Sequence, residues 1–168
     1  VQVAPQTVTQ SDTTVSIAFL TFGGSSGVQS FAMAGRTLTV TNPVTIENPA
    51  SAAVSNGTLA GAGVTNLGSL TLVSTTTNSA FTNLGTLLIH GTNTINGALT
   101  LGGGSLVFSN GNSAINPTAE SPGTAGTTIN PGASSVSGNN AGASGGSVNF
   151  GALTRKVGGT LDIIKTGP

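Results

Sequence analysis

The sequence has no cysteine, no tryptophan and no tyrosine, and only 5% of its 168 residues are charged. An ordinary soluble domain has about 25% charged residues. Without cysteine the chain cannot build a disulfide scaffold, a thiolate zinc site or a cysteine nucleophile. Four cations balanced by four anions form no basic surface that would neutralise nucleic-acid phosphates. These absences exclude a nucleic-acid partner and several classes of catalytic and metal site.

The sequence also lacks any run of about 18 or more apolar residues, so no transmembrane helix is predicted. Leu, Ile, Val and Phe still fill 42 of the 168 positions, which is above the level typical of disordered chains. Gly, Thr, Ser and Asn together fill 87 positions. These four types disfavour helices, whereas Thr, Val and Ile favour strands. The composition therefore predicts a folded all-β chain.

A repeated pattern occupies the middle of the chain. Residues 64–72 read VTNLGSLTL, and the pattern returns at residues 81–89 as FTNLGTLLI. Shorter echoes lie at residues 54–59, 95–101 and 105–108. Each unit has an apolar residue, an Asn-containing turn and a short alternating strand. Such repeats are typical of the coils of a β-solenoid, in which each coil rises by about 4.8 Å.

Equivalent residues of successive coils are expected to stack on one another. The spacing predicts one inward ladder of Leu70, Leu87 and Leu99, and a second of Leu72, Ile89 and Leu101. Asn66 and Asn83 are predicted to stack at a corner, because a left-handed conformation and ladders of side-chain amides suit Asn. The interval between units falls to about 12 residues in the later echoes, which leaves the register open there.

A β-sandwich built from hairpins is the alternative fold. Asn56-Gly57, Asn96-Gly97 and Asn110-Gly111 are sequences that favour two-residue hairpin turns.

The composition divides the chain into three segments. Residues 1–115 contain the predicted solenoid coils. Residues 116–147 are rich in Gly, Ser, Asn and Pro, which predicts a surface excursion or a linker. Residues 148–168 are predicted to return as strands of a further, truncated coil. Because Val1 is not an initiator Met and only a short tail follows residues 161–164, we expect the natural polypeptide to be longer.

The last of these segments carries a resemblance to a known family. Residues 148–163 read VNFGALTRKVGGTLDI, and KTG follows at residues 165–167. This segment resembles part of large secreted proteins that carry autotransporter-associated β-strand repeats. The TNLGTL unit at residues 82–87 is also similar to units of autotransporter and haemagglutinin-like adhesin passengers. The resemblance implies a right-handed parallel β-helix, export across the outer membrane and a location at the bacterial cell surface.

We therefore expect a structural or adhesive segment of a secreted bacterial surface protein, a rigid stalk or passenger without catalysis. The alternative is a self-assembling subunit of an extracellular filament or surface layer, and a third hypothesis is a carbohydrate-active β-helix enzyme. The expected partners are neighbouring coils of a longer chain, identical subunits, or a host surface or glycan. No cofactor is expected.

The titratable residues do not form a recognisable catalytic pattern. A glycosidase-type mechanism needs two carboxylates that divide the acid and base roles. Asp12, Glu47, Glu120 and Asp162 are too unevenly spaced to meet on adjacent coils, so we interpret them as solvated. His90 is the only histidine and is interpreted as a corner or surface residue. One His without Cys also argues against a transition-metal site.

Three further motifs have a structural interpretation. Residues 23–27 and 142–146 match the pattern of a nucleophile elbow, but that elbow needs a following helix, so both are predicted to be turns. Arg155 and Lys156 form a solvated basic pair. Asn56-Gly57-Thr58 is a glycosylation sequon whose Asn is better explained as a coil corner.

A regular row of threonines on a flat sheet face would be typical of an ice-binding solenoid. The candidates are Thr58, Thr71, Thr86, Thr94 and Thr100. Thr39-Val40-Thr41 is the clearest Thr-x-Thr unit, and it does not recur with the period of the repeat. The sequence therefore does not predict ice binding.

Overall fold

The computed structural model describes residues 6–25, 27–109, 119–122, 126–139 and 147–166. Every described element is a β-strand, and every described strand pair is parallel. The chain achieves this by winding as a β-solenoid, so that each strand pairs with its equivalents in the coils below and above. The predicted all-β parallel β-helix is confirmed. The β-sandwich alternative is wrong, because hairpins would pair successive strands antiparallel.

Each coil crosses three faces, and strands are numbered in chain order. Face 1 contains β1 (Gln6–Thr9), β4 (Val28–Val40), β6 (Ser51–Gly61), β8 (Ser69–Thr77), β10 (Thr86–His90), β13 (Ser105–Ser109), β16 (Gly132–Asn139) and β19 (Gly159–Thr166). Face 2 contains β2 (Thr14–Ile17), the second halves of β4, β6 and β8, and then β11 (Thr94–Ile95), β14 (Ala119–Pro122) and β17 (Ser147–Val148). Face 3 contains β3 (Thr21–Phe22), β5 (Val44–Ile46), β7 (Val64–Asn66), β9 (Phe81–Asn83), β12 (Leu99–Leu101), β15 (Thr127–Ile129) and β18 (Leu153–Arg155).

The corner between face 1 and face 2 contains a residue with positive φ in each of four successive coils. These residues are Ala34 (53°), Asn56 (56°), Ser74 (48°) and Gly91 (76°), and in the first of these coils Gly35 (81°) follows Ala34 with positive φ as well. A left-handed residue changes the direction of a strand within one step. Asn56-Gly57 thus turns the chain inside β6 instead of reversing it in a hairpin.

The corner between face 3 and face 1 requires glycine because the backbones of successive coils lie very close together there. A Cβ atom on Gly85 would lie 2.1 Å from the carbonyl oxygen of Gly68 in the coil below. A Cβ atom on Gly104 would lie 2.3 Å from the carbonyl oxygen of Gly85. The backbones of successive coils therefore approach too closely for any side chain, which explains the Gly of each TNLG unit.

The core consists of aliphatic ladders inside the coils. Leu87 pairs in register with Leu70 and Leu106, and all three are buried. Ile89 pairs with Leu72 and Phe108, which forms the second ladder. Burial of such a side chain contributes about 1.5–3 kcal/mol, so the ladders stabilise every coil.

The predicted membership of these ladders is wrong for Leu99 and Leu101. Both lie on face 3, where Leu99 pairs with Phe81 and Leu101 pairs with Asn83. The physical reason is that residues 95–101 belong to the same coil as Leu87. Their short interval after the previous unit reflects a change of face.

Asn66 and Asn83 stack as predicted, and both are fully buried. The Asn66 Nδ2 donates to Asn83 Oδ1 at 2.7 Å and to the Thr86 carbonyl oxygen at 2.8 Å. The Asn83 Nδ2 donates to the Ser105 carbonyl oxygen at 2.9 Å. Both residues end strands of face 3, and neither is among the described residues with positive φ. The amides therefore tie face 3 to the beginning of the next face 1 strand.

Part of the predicted excursion at residues 116–147 lies in the coils. Strands β14, β15 and β16 pair with strands of both neighbouring coils, and Ile129 and Val136 are buried. Residues 110–118, 123–125 and 140–146 lie outside the described residues. The segment boundaries at 115 and 147, like the right-handed winding, stay predictions.

The part of the chain that the structure describes contains no helix that is long and apolar enough to cross a membrane.

Adjacent leucines of β10 give a direct test of the core ladder. Leu87 is buried inside the coil, whereas Leu88 is half-buried and faces outward. We expect Leu87→Ala to lower the free energy of unfolding by about 2–5 kcal/mol, because it leaves a cavity between Leu70 and Leu106. Leu88→Ala is the matched control, with an expected change below about 1 kcal/mol. Urea unfolding followed by circular dichroism measures both, and equal losses would contradict the assigned orientation.

Candidate functional site

The carboxylates occupy separate places along the solenoid. Asp12 lies between β1 and β2, Glu47 follows β5, Glu120 belongs to β14 and Asp162 belongs to β19. Asp12, Glu47 and Asp162 have exposed side chains, whereas the side chain of Glu120 lies outside the described part. No group of three or more His, Cys, Asp or Glu residues that could hold a metal ion occurs among the described residues. The structure thus brings no two of the four carboxylates together on one face of adjacent coils.

His90 is the last residue of β10 and is half-buried on face 1. It pairs in register with Val73 and Ser109, so its described neighbours along the ladder carry no carboxylate. The Asn93 Nδ2 donates to the His90 carbonyl oxygen at 2.9 Å, and Gly91 follows with positive φ. His90 therefore lies at a corner, as its position in the sequence indicated.

The structure describes all or part of three of the four remaining sequence motifs. Residues 23–27 connect β3 to β4, and the element that follows is a strand, as the turn interpretation requires. Residues 142–146 lie outside the described residues. The Arg155 Nη1 donates to the Gly159 carbonyl oxygen at 3.3 Å, and both Arg155 and Lys156 are exposed. Asn56 is exposed at its corner.

Face 3 carries a continuous row of threonines. Each of its seven strands has Thr at the equivalent position, and each Thr pairs in register with the Thr of the next coil. The row consists of Thr21, Thr45, Thr65, Thr82, Thr100, Thr128 and Thr154. At the spacing of parallel strands, about 4.8 Å, the row is about 29 Å long. We call it the threonine row.

The side chains of the threonine row point away from the core. Strand residues alternate between two sides, and the neighbours of the central threonines from Thr45 to Thr128, such as Val64 and Asn66 around Thr65, are buried. Among the described residues, no side-chain hydrogen bond involves the hydroxyl of a threonine in this row. The hydroxyls are therefore available to solvent or to a ligand.

Inward-facing threonines behave differently. The Thr75 hydroxyl donates to the Val54 carbonyl oxygen at 3.1 Å and to that of Val73 at 3.0 Å. The Thr127 hydroxyl donates to the Phe150 carbonyl oxygen at 2.7 Å. Inside the coil a hydroxyl must be satisfied by the backbone, because an unpaired buried polar group is costly.

Two further columns flank the threonine row, and backbone hydrogen bonds keep both in register. The column on the N-terminal side of β7, β9, β12, β15 and β18 has only small residues, namely Gly63, Ala80, Ala98, Gly126 and Ala152, whereas Phe19 and Pro43 hold the equivalent positions before β3 and β5. The column on the C-terminal side consists of Glu47, Leu67, Leu84, Gly102, Asn130 and Lys156. Charges in these columns thus occur only beside the two ends of the row.

The threonine row was not predicted from the sequence, because the candidate threonines lie on different faces. Thr58 and Thr94 lie on face 2, Thr71 and Thr86 on face 1, and Thr100 on face 3. Members of the row are separated by 17 to 28 residues in the sequence, because the corners differ in length. A constant sequence period therefore does not identify the row. The sequence feature that marks most of its members is a triplet with Thr at the centre, either apolar-Thr-polar or apolar-Thr-apolar, as in Val64-Thr65-Asn66.

Face 2 has a shorter row of threonines. Thr14, Thr37, Thr58, Thr76 and Thr94 pair in register through five successive coils, and Ser121 follows. The neighbouring column contains Asn78 and Asn96, whose side-chain amides form a hydrogen bond of 2.7 Å.

A shallow groove of about 310 Å³ lies at the corner between face 3 and face 1. It is formed where the glycines at 103 and 104 leave a gap between Leu84 and Ala133. Its polar side chains are Thr86, Ser105 and Ser135, which offer hydroxyls and no charge. It contains no nucleophile–base pair of the kind that hydrolysis requires.

The last described coil leaves part of the core ladder exposed. Ile163 pairs with Val136, which is buried, yet 71% of Ile163 is exposed. Leu153 pairs with Thr127 on face 3 and is 56% exposed. Ile163 occupies the Leu87 ladder position without a described coil above it.

Comparisons of the chain with protein-family models, with curated proteins and with solved structures found no match.

The difference between inward and outward threonines is measurable. We expect Thr75→Val to lower the free energy of unfolding by about 1–3 kcal/mol, because it removes the hydroxyl that forms hydrogen bonds with the carbonyl oxygens of Val54 and Val73. Thr82→Val, the matched change on the threonine row, is expected to alter it by less than about 0.5 kcal/mol. Chemical denaturation compares the two. A larger loss for Thr82→Val would mean that the row faces inward.

Proposed function

We propose that the chain is a rigid structural segment of a secreted bacterial surface protein, where it serves as a non-catalytic stalk or passenger. The observation that carries this proposal is the parallel register, which continues from β1 to β19 along face 1. A stack of coils held by backbone hydrogen bonds and an aliphatic core resists bending and needs no specific surface chemistry.

The distribution of reactive side chains supports a role without catalysis. The four carboxylates lie on separate coils, His90 lies at a corner, and the groove at the corner of face 3 is lined by hydroxyls and glycines. Efficient hydrolysis needs at least two such groups within reach of one bond. The resemblance of residues 148–168 to autotransporter-associated repeats supports export and a surface location.

The partners we propose follow from two apolar side chains that are exposed on β18 and β19. The exposed Ile163 and Leu153 continue the inward columns of the coils below, and a further coil would cover them. That coil belongs to a longer chain in the first proposal. A host surface or glycan is the proposed ligand of an adhesive passenger.

The same exposed ladder favours a second candidate, a subunit that assembles into a filament or surface layer. In that case a second copy of the chain supplies the covering coil. Unpaired strand edges are templates for such addition.

Protease treatment of intact cells of the natural source tests the first proposal. We expect an antibody raised against this chain to detect a protein far larger than 16.2 kDa that is lost when protease is added outside the cells. A periplasmic or cytoplasmic protein detected on the same blot must remain intact as the control. A protease-resistant band, or a band of the size of the chain itself, would contradict the proposal.

The assembly candidate is tested with two adjacent isoleucines of β19. Ile163 faces the open core, whereas Ile164 pairs with Ser137 on the outward side. If the chain assembles, Ile163→Lys is expected to abolish the particles seen by electron microscopy and size-exclusion chromatography, because it places a charge in the apolar contact. Ile164→Lys is the control and should assemble. A monomeric wild-type chain would rule this candidate out.

A further inference from the structure

We propose that face 3 binds ice, with the threonine row as the contact surface. This activity goes beyond the structural role above and depends on residues that the role does not use. Its first support is the arrangement of the row: one Thr per coil, in register, on all seven strands of the sheet.

The core does not require this row. The positions point outward, and the packing inside the coil is made by their buried neighbours, such as Phe81 beside Thr82. The outward columns of the other faces are mixed or shorter. Ala53, Thr71, Leu88 and Val107 follow one another on face 1, and the row of face 2 ends after five threonines, at Ser121. Face 3 therefore presents the longest described row of identical side chains, and it suits a ligand that repeats with the coils.

The spacing of the row is fixed by the backbone. Parallel strands place successive threonines about 4.8 Å apart, and the hydrogen-bond ladder keeps this distance constant. The water oxygens of hexagonal ice repeat at a spacing close to this one. Because the row is part of a rigid sheet, its hydroxyls and methyl groups hold their positions without the entropic cost of ordering flexible side chains.

The chemistry of the row also suits ordered water. Each Thr presents a hydroxyl, which donates and accepts hydrogen bonds, beside a methyl group. The hydroxyls of Thr45, Thr65, Thr82, Thr100 and Thr128 have no hydrogen-bond partner among the described protein groups. They are therefore free to bind a line of water molecules that matches the lattice.

The surroundings of the row allow a flat crystal surface to approach. The small residues of the flanking column, from Gly63 to Ala152, do not extend beyond the threonines. On the other side Leu67 and Leu84 are 43% and 44% exposed and add apolar contact. The charged residues Glu47 and Lys156 lie only beside the two ends of the row. A charge in the middle would hold its own hydration shell and oppose contact with a neutral lattice.

A polysaccharide fits this surface less well than ice does. Small-molecule sites are concave and are commonly lined by aromatic side chains with a few directed polar groups. The chain has no Trp and no Tyr, and the strands of face 3 form an open sheet instead of a cleft. One identical hydroxyl per coil suits an uncharged ligand that repeats in the same way along the row, as an ice lattice does, more than a polysaccharide chain whose two ends differ.

The test measures thermal hysteresis and partition of the purified chain into growing ice. The wild-type chain is expected to give thermal hysteresis, to shape ice crystals and to be enriched in the ice fraction. Thr65→Lys/Thr82→Lys, at two neighbouring positions in the middle of the row, is expected to abolish all three effects. The single change Thr82→Lys, which disturbs the fold less, should reduce them.

Face 2 supplies the matched control. Thr58 and Thr76 are also neighbouring, half-buried, outward threonines, so Thr58→Lys/Thr76→Lys makes the same change in charge and size. This variant is expected to keep the activity of the wild type, because the face 2 row is shorter than the threonine row and lies on a different face of the coil. Circular dichroism checks that all variants fold. The proposal is overturned if the folded wild type neither gives hysteresis nor enters ice, even if it binds crystalline cellulose or chitin. Equal loss in the face 2 variant would also overturn it.

Discussion

The parallel backbone ladder between successive coils is the interaction on which the rest of this structure depends. Each strand satisfies its N–H and C=O groups with the coils below and above, so every side chain stacks on its equivalents. A charge repeated at one position would face a like charge about 4.8 Å away, which is destabilising. Uncharged Thr, Ser and Asn avoid this repulsion, and this explains why only 5% of the residues are charged.

Inside the coil, the stacking of equivalent side chains favours aliphatic ladders. Polar side chains that are buried there need hydrogen bonds. Asn66 and Asn83 occupy a column that otherwise contains residues such as Ile46 and Leu101. The Asn66 Nδ2 donates to Asn83 Oδ1, and the Nδ2 atoms of both residues donate to backbone carbonyl oxygens of face 1, which offsets part of the cost of burial. Outside the coil the constraint is weaker, so each face can differ. Face 1 is mixed, whereas face 3 has kept a single residue type along the whole row.

The sequence predicted the register where two coils share the same corner. Leu70 and Leu87 each follow a TNLG corner and lie one coil of 17 residues apart, and their pairing was predicted correctly. The prediction failed at Leu99 and Leu101 because these residues lie on face 3 of the same coil as Leu87, and it missed the threonine row because its members are separated by corners of unequal length. Strands of three residues such as Val44–Ile46 are too short for their hydrophobic periodicity to show which strand of the next coil they pair with. Register across unequal corners is set by backbone pairing, which a single sequence does not display.

The register of face 3 is the central claim, and cysteine cross-linking tests it most directly because the chain has no cysteine of its own. Thr65 and Thr82 pair in adjacent coils, at a Cα separation of about 4.8 Å that permits a disulfide. Thr65→Cys/Thr82→Cys is expected to form an intramolecular disulfide on mild oxidation, detected by mass spectrometry of a non-reduced digest. Thr65→Cys/Thr86→Cys, whose second residue lies on face 1, should not. A disulfide in the second variant and none in the first would contradict the register.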